Sequence, residues 1–317
     1  MKKYSLLLAI MITCLIVEAQ QTPFRVIGYL RLQNIQDGQA MQIDYSKVTH
    51  INIAFINPDS TGNFTVMPYL KKFTDQMHRR HVKVLASIGG GLAPAYYTNL
   101  LTDGNRQRLI QNLTQLTITY DLDGIDADLE GERIDANYEA FITELSAALK
   151  PKNKLLTAAV ATVYKTRYTD KALAQFDFIS IMSYDKTGPW RPEIHGPHAP
   201  YEMAVEDMNY WAGEKSISKE KLNLGIPFYG YGFGPNIPAE MSFKGIISKY
   251  SGAEKTDSVS VAGGGTMYYN GIPTIRNKTT LALQQAGGIM IWQLLQDADG
   301  SNSLLKIVND MIAAQKK

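Results

Sequence analysis

The stretch Asp123-Gly124-Ile125-Asp126-Ala127-Asp128-Leu129-Glu130 carries carboxylates at alternate positions, 126, 128 and 130. Alternation is the period of a β-strand, in which successive side chains point to opposite faces. As a strand, this segment sends its three acids to one face at steps of roughly 6–7 Å. Because like charges this close resist simultaneous ionisation, at least one acid is expected to have a raised pKa and to be able to donate a proton.

Two other structures are also compatible with an acid-rich stretch, namely a calcium loop and a solvated turn. A calcium loop needs a glycine at its sixth position. Counted from Asp121 or Asp123, Gly124 stands in the wrong place, which disfavours a calcium loop. The stretch by itself leaves the solvated turn open.

The amino terminus is typical of a secretory signal peptide. Residues 1–19 contain a basic head, an apolar run too short to span a bilayer, and Ala19 at the exit. We predict cleavage after Ala19, export to the outside or the periplasm, and a single domain over residues 20–317. Cys14, the only cysteine, lies in the leader, and Ile12 and Thr13 before it do not fit a lipoprotein signal.

Composition excludes several classes of function. There are 32 basic and 30 acidic residues, and removal of Lys2, Lys3 and Glu18 leaves 30 against 29. This balance gives no electrostatic case for nucleic acid or an anionic membrane as partner. Beyond the leader no apolar run is long enough to predict an integral membrane protein. The five histidines are scattered, so we predict no metal site. We also predict that the protein needs no cofactor, and we expect a monomer.

Short apolar runs alternate with amphipathic stretches along the rest of the chain. Eight largely hydrophobic strands, all but the first followed by a helical pattern, predict a parallel sheet covered on both faces, and hence an α/β (β/α)8 TIM barrel. The predicted strands are Arg25–Leu30, Val48–Asn57, Val82–Ser87, Leu122–Glu130, Leu155–Thr162, Phe178–Ser183, Leu222–Tyr229 and Gly288–Gln293. A wider gap after the seventh strand predicts a small insertion at about residues 232–275.

Unusual residues cluster at the carboxyl ends of these strands, where such barrels build their active sites. The third strand ends in Ser87-Ile88-Gly89-Gly90, the fourth in the acidic stretch, the sixth in Met182-Ser183-Tyr184-Asp185 and the eighth in Trp292. Each feature taken singly is more often structural than functional. Four such features at four strand ends are difficult to explain by packing.

Together these motifs resemble glycoside hydrolase family 18, the chitinase family, over essentially the whole chain after the leader. Its signatures are Ser-x-Gly-Gly on the third strand and Asp-Gly-x-Asp-x-Asp-x-Glu on the fourth, and both are present. The Met182–Asp185 motif, the run Gly225-Ile226-Pro227-Phe228-Tyr229-Gly230 and Trp292 extend the match.

The resemblance implies a role for each matching residue. Glu130 would be the general acid, Asp128 would orient and stabilise the acetamido group of the substrate, and Asp126 would tune Asp128. Tyr184 would bind the acetamido oxygen as it attacks, since this family uses substrate-assisted catalysis. Trp292 would form the floor under the reacting sugar. The further substrate-binding candidates are Met182, Asp185, Tyr29, Ser87, Gly89, Gly90, Trp190 and Tyr229.

The chain departs from the family pattern at three positions. Gly91 stands where chitinases commonly carry tryptophan, Tyr231 where arginine is frequent, and Gln293 where glutamate is common. These changes affect the subsites and the preferred chain length but leave the acid in place. Tyr268 and Tyr269, within the insertion, are further candidates for the cleft wall.

The resemblance therefore implies an exported retaining hydrolase that cuts β-1,4 bonds in N-acetylglucosamine-containing glycans, either chitin or chito-oligosaccharides. One alternative is an endo-β-N-acetylglucosaminidase acting on N-linked glycans with the same acid. A second alternative is a non-catalytic chitin-binding lectin on the same barrel, although the acids that such proteins typically lose are all present here.

Overall fold

The computed structural model describes residues 23–315. The predicted signal peptide, its cleavage site and Cys14 lie outside the described residues. Within the described part, no helix is both long and apolar enough to cross a membrane.

Eight parallel strands close into a barrel, in the order β1-β12-β7-β6-β5-β4-β3-β2. Each of the eight predicted strands corresponds to one barrel strand, which confirms the TIM-barrel prediction. The barrel strands are β1 Arg25–Arg31, β2 His50–Ala54, β3 Lys83–Gly89, β4 Gly124–Asp128, β5 Leu155–Val160, β6 Phe178–Ile181, β7 Leu222–Pro227 and β12 Gly288–Trp292.

Most helices cover the outward faces of the barrel strands, whereas one helix, Phe243–Lys249, packs against the insertion after the seventh strand. They are α1 Leu32–Gln36, α2 Pro68–His78, α3 Tyr97–Leu100, α4 Asp103–Thr119, α5 Tyr138–Leu149, α6 Asp170–Gln175, α7 Tyr201–Met208, α8 Phe243–Lys249, α9 Ile272–Gln285 and α10 Leu304–Gln315. The first strand is followed by a short helix, α1, which the sequence pattern missed. Its five residues are too few to display a helical period.

The acid-bearing strand, β4, is buried at every position. Its inward residues, Asp126 and Asp128, face the barrel interior, while Ile125 and Ala127 pack under the outer helices in the main hydrophobic core. Burial on both faces rules out the solvated turn for these residues. The strand ends at Asp128, and Glu130 continues in extended conformation (φ −125°, ψ 156°) before a 3₁₀ turn.

The insertion after the seventh barrel strand is a four-stranded antiparallel sheet in the order β10-β11-β8-β9, with helix α8 packed against it. Its strands are β8 Tyr229–Phe233, β9 Glu240–Ser242, β10 Ser258–Ser260 and β11 Thr266–Tyr268. The predicted seventh strand, which extended to Tyr229, was therefore too long. β7 ends at Pro227, and Tyr229 already belongs to the inserted sheet.

Candidate active site

Asp126 is wholly buried, and three hydroxyl groups donate hydrogen bonds to its carboxylate. Tyr29 Oη and Ser87 Oγ donate to Oδ2 at 2.6 and 2.8 Å, and Thr157 Oγ1 donates to Oδ1 at 2.6 Å. The neighbouring strands supply these donors because Ser87 and Thr157 are the register partners of Asp126 in β3 and β5. Burial raises the pKa of Asp126, while the three hydroxyl groups oppose that shift.

Asp128 lies one inward step further along the strand and is equally buried, but its Oδ1 has no hydrogen-bond partner within residues 23–315. Burial raises its pKa well above the usual range, and the charges of Glu130 and Asp126 raise it further. A buried polar atom without a partner costs free energy of about 1–3 kcal/mol. Such an atom at the open end of the barrel is available to a ligand.

Glu130 lies at the rim of the barrel and is the most accessible of the three acids. Burial raises its pKa to about 7, the charge of Asp185 adds to that shift, and Arg133 opposes it. A carboxyl group that keeps its proton near neutral pH is suited to general acid catalysis. A Cβ on Gly91 would lie 3.4 Å from Glu130 Oε1, so residue 91 adjoins the acid directly.

Tyr184 follows β6 and lies against the inner end of the pocket. Its hydroxyl has only a weak contact, 3.5 Å, to Met290 Sδ among the described residues. Space for the ring comes from Gly225 in β7, where a Cβ would lie 3.0 Å from the Tyr184 ring and 2.3 Å from the Ile181 carbonyl oxygen. Met182 packs in the same inner cluster. Burial, and then the charge of Asp128, raise the pKa of Tyr184 well above the usual range, so its hydroxyl stays a donor.

Asp185 has a left-handed backbone (φ 64°) and a carboxylate that is 39% exposed. Tyr229 Oη donates to its Oδ1 at 2.5 Å, and His198 Nδ1 lies 3.4 Å from the same oxygen. The buried His198 ring also contacts Tyr229 and Tyr231, each at a centroid distance of 5.0 Å. Asp185 is therefore held by Tyr229 of the inserted sheet, and its charge acts on Glu130.

Trp292 ends the last barrel strand and forms the aromatic floor of the pocket. Phe55 stacks on it at 5.7 Å with an interplanar angle of 24°, and Tyr29 packs at 5.4 Å in a tilted arrangement. Both Phe55 and Trp292 adjoin a cis peptide bond, Ala54–Phe55 and Trp292–Gln293 respectively. These neighbours fix the plane of the indole, which is half-buried and retains an accessible part.

Gly89 and Gly90 have left-handed backbones (φ 101° and 86°), which explains why both positions are glycine. A Cβ at 89 would lie 2.2 Å from the Asp128 carbonyl oxygen, and a Cβ at 90 would lie 2.4 Å from the Phe55 ring. Asn57 secures the turn by accepting from Gly89 N at 2.7 Å and donating to Gly89 O at 3.0 Å. This glycine pair lets β3 and β4 approach closely beside the acids.

Two candidate aromatic residues, Trp190 and Tyr269, differ in their exposure to solvent. Trp190, in the loop after β6, is 55% exposed and packs edge-on against Tyr231 at 5.4 Å. Tyr269 is wholly buried, and its hydroxyl donates to Ala253 O at 2.8 Å. The interpretation of Tyr269 as a cleft-wall residue was therefore wrong, because its ring packs against Phe243.

The structure changes the expected role of three further candidates. Tyr29, Ser87 and Tyr229 are buried, and their hydroxyl groups are committed to Asp126 or Asp185. These hydroxyl groups therefore bind carboxylates of the protein and do not contact a sugar directly. Sequence reasoning missed Phe55 and His198 as members of the site. No motif contains them, and the one available signal was that Phe55 lies near the carboxyl end of the predicted second strand and His198 in the segment after the sixth.

Within residues 23–315, no group of three or more His, Cys, Asp or Glu side chains has a geometry that could hold a metal ion. Asp126 and Asp128 lie on β4, and Glu130 follows it in extended conformation, so the three acids are spread along the chain. The chemistry available at the pocket is therefore that of a proton donor, an unpartnered carboxyl oxygen, a free phenol and an aromatic floor.

A family model for glycosyl hydrolases family 18 matches residues 25–297, which cover the barrel and its insertion. The chain belongs to this family, as its fourth-strand motif and the arrangement of its acids indicated.

Solved structures and curated proteins give the same result. A family 18 chitinase from the chitin utilization locus of Flavobacterium johnsoniae is 34% identical, with a TM-score of 0.85 over 93% of this chain and 95% of that one. An endochitinase of Brugia malayi is 27% identical over 77% of this chain and 55% of its own length. A chitinase-like effector of Moniliophthora roreri is 29% identical over 61% of this chain and 55% of its own length. The chain thus spans slightly more than half the length of these two curated relatives.

Proposed function

We propose that this protein is a retaining glycoside hydrolase that cleaves β-1,4 bonds in chitin or chito-oligosaccharides by substrate-assisted catalysis. The observation that carries the proposal is the contrast within β4 between two acids. Asp126 is satisfied by three hydroxyl groups, whereas the buried Oδ1 of Asp128 has no partner within residues 23–315. A buried acceptor oxygen of this kind is what the N–H of a 2-acetamido group needs. Similarity to the Flavobacterium chitinase and the Brugia endochitinase supports the same substrate class.

In the first step, Glu130 donates its proton to the glycosidic oxygen, and the bond between that oxygen and the anomeric carbon breaks. The acetamido carbonyl oxygen of the sugar over Trp292 forms the new bond to the anomeric carbon, which gives an oxazolinium ion and releases the leaving sugar as an alcohol. Asp128 accepts the acetamido N–H and stabilises the positive charge that develops there. Tyr184 donates its hydroxyl hydrogen to the attacking oxygen, a contact worth on the order of 3 kcal/mol in comparable sites.

In the second step, the Glu130 carboxylate removes a proton from water as the water attacks the anomeric carbon. The bond to the acetamido oxygen breaks, the acetamido group is restored, and Glu130 is protonated again. Two inversions at the same carbon retain its configuration. The spacing fits this route because Asp128 ends β4 and Glu130 follows two residues later in extended conformation. Both acids then approach the sugar from nearly the same side, so neither is placed as a backside nucleophile.

The proposal includes the organisation of the chain. Residues 20–317 would form one catalytic domain that is exported after removal of residues 1–19 and acts as a monomer. The small inserted sheet supplies Tyr229 and Tyr231 to the back of Asp185 and forms a low wall at the cleft. We therefore favour soluble or loosened chains over crystalline chitin as substrate.

Incubation with chitotetraose and, in parallel, with a high-mannose glycopeptide tests the function directly. We expect mass analysis to detect chitobiose or other shortened oligosaccharides from the first substrate and no cleavage of the second. Cleavage between the two core sugars of the glycopeptide alone would instead establish an N-glycan endoglycosidase. Binding of chitotetraose without any product, at high enzyme concentration and with the acids intact, would establish a lectin and overturn the proposal.

A further inference from the structure

A groove of about 550 Å³ runs from Trp292 and Gly91 along the ends of β1, β2 and β3. Its far wall is helix α1. The groove is continuous with the proposed site because Trp292 and Gly91 belong to both. Its lining residues are Arg31, Leu32, Gln33, Gln36, Ala54, Phe55, Asn57, Gly89, Gly91, Leu92 and Trp292.

Two polar side chains of this groove, Asn57 and Gln33, already have partners. Asn57 is bonded to the backbone of Gly89 and accepts from Tyr97 Oη at 2.6 Å. Gln33 donates to the carboxylate of Asp37 at 2.8 and 2.9 Å. For Arg31 and Gln36, the described part of the chain offers no side-chain hydrogen bond or ion pair. These two side chains are the polar groups of the groove that remain available to a ligand.

Arg31 faces the mouth of the barrel because of its place in β1. Side chains alternate along a strand, and Ile27 and Tyr29 point into the barrel interior. Arg31 lies two residues beyond Tyr29, so its side chain leaves β1 on the same face, above the hydroxyl that binds Asp126. It is exposed and is the one charged residue lining the groove in the described structure.

The groove beside Trp292 therefore carries one guanidinium and no carboxylate among its lining residues. We propose that the groove binds the sugar adjoining the one over Trp292, and that Arg31 selects an N-acetylated sugar there against a deacetylated one. This inference rests on the proposed function and specifies its substrate more closely.

The selection follows from the charge of the amino group. An N-acetylated sugar is neutral, and its acetamido oxygen can accept a hydrogen bond from the guanidinium. A deacetylated sugar carries a protonated amine at about pH 5, which repels the guanidinium and cannot accept from it. Two like unit charges about 5 Å apart in water repel enough to raise the dissociation constant by roughly threefold or more.

The test uses the Glu130→Gln protein, which cannot turn substrate over, with and without Arg31→Gln. Calorimetry at about pH 5 would measure binding of chitotetraose and of tetramers in which one sugar is deacetylated at a defined position. We expect at least one position next to the sugar over Trp292 at which deacetylation weakens binding to the Glu130→Gln protein. Arg31→Gln should reduce that discrimination about threefold or more, Arg31→Lys should retain it, and about 1 M salt should diminish it.

Arg276→Gln, which neutralises an exposed arginine on the outer helix α9, serves as the matched control and should leave the discrimination unchanged. Equal discrimination with and without Arg31→Gln, at every position, would overturn the inference while leaving the proposed function intact. Absence of chitotetraose binding to the Glu130→Gln protein, together with absence of cleavage by the wild-type protein, would instead overturn the proposed function and this inference with it.

Discussion

Asp123 and Glu130 begin and end the same eight-residue motif, yet the two ends of this segment have different environments. At the amino end, Asp123 Oδ2 accepts from Val84 N at 2.7 Å, and His78 Nε2 lies 2.8 Å from it. At the carboxyl end, Asp128 Oδ1 has no hydrogen-bond partner in the described part of the chain, and Glu130 has a pKa raised to about 7 by burial and by Asp185. The acid at the amino end of the motif is satisfied by the fold, and we infer that those at the carboxyl end serve a substrate.

The same contrast exists inside the barrel, one step apart on β4. Asp126 has its hydrogen bonds supplied by β1, β3 and β5, so the protein itself stabilises this carboxylate. Within the described residues, Asp128 Oδ1 has no such hydrogen bonds, and burial makes ionisation of this side chain unfavourable in the free protein. We infer that this cost is recovered when an acetamido group binds. The following substitutions test this division of roles.

The largest effect is expected for Glu130→Gln. Removal of the proton donor should lower kcat on chitotetraose by roughly 10²–10⁴-fold, while calorimetry should detect oligosaccharide binding close to that of the wild-type protein. Glu132→Gln is the matched control because Glu132 is exposed and pairs with Arg167 at the surface. Full activity of the Glu130→Gln protein would exclude Glu130 as the acid.

Asp128→Asn should have the next largest effect. Asparagine keeps the shape of the side chain but cannot ionise as positive charge develops on the oxazolinium ion, so kcat on N-acetylated substrates should fall on the order of 10²-fold. Steady-state kinetics on chitotetraose would measure this loss, with circular dichroism as a check on folding. An unchanged rate would argue against acetamido assistance.

The pH profile should report the carboxyl pKa of Glu130. The acid is active when protonated, so kcat/KM should fall as the pH rises through about 7. Burial is the first cause of the raised pKa and the charge of Asp185 is the second. Asp185→Asn should therefore lower the pKa of Glu130 and move the alkaline limb of the profile to lower pH. A limb that stays in place, or moves upward, would contradict the assigned interaction.

The smallest effect on activity is expected for Asp123→Asn, at the satisfied end of the segment. This substitution weakens the contacts to His78 and Val84 and should reduce the free energy of unfolding by about 1–2 kcal/mol. Chemical denaturation would measure that change. At a temperature well below the unfolding transition, kcat should stay near that of the wild-type protein. A large loss of kcat would contradict the purely structural role of Asp123.

Much of this site could be predicted because its acids follow strand alternation. The period of two placed Asp126, Asp128 and Glu130 on one face, and the order of the apolar runs placed that face at the open end of a barrel. The family resemblance then gave Tyr184 and Trp292 their expected positions, and the structure brings both to the same pocket. Their assignment to steps of the reaction stays a prediction.

The supporting contacts could not be predicted, because they join residues that are distant in sequence and follow no period. Phe55 reaches Trp292 because barrel closure sets β2 and β12 on either side of β1. His198 reaches Asp185 because the loop after β6 returns to the barrel, where Lys186 N donates to His198 O at 2.9 Å. Tyr29 has the right strand position, but whether its hydroxyl serves a sugar or Asp126 depends on side-chain geometry.

The most direct test of the central claim is the configuration of the first product, measured by proton NMR during cleavage of chitotetraose. Attack by the acetamido oxygen followed by water predicts that the new reducing end appears first as the β-anomer and then equilibrates. Initial appearance of the α-anomer would show a single displacement by water. That result would contradict the assigned roles of Asp128 and of the substrate acetamido group.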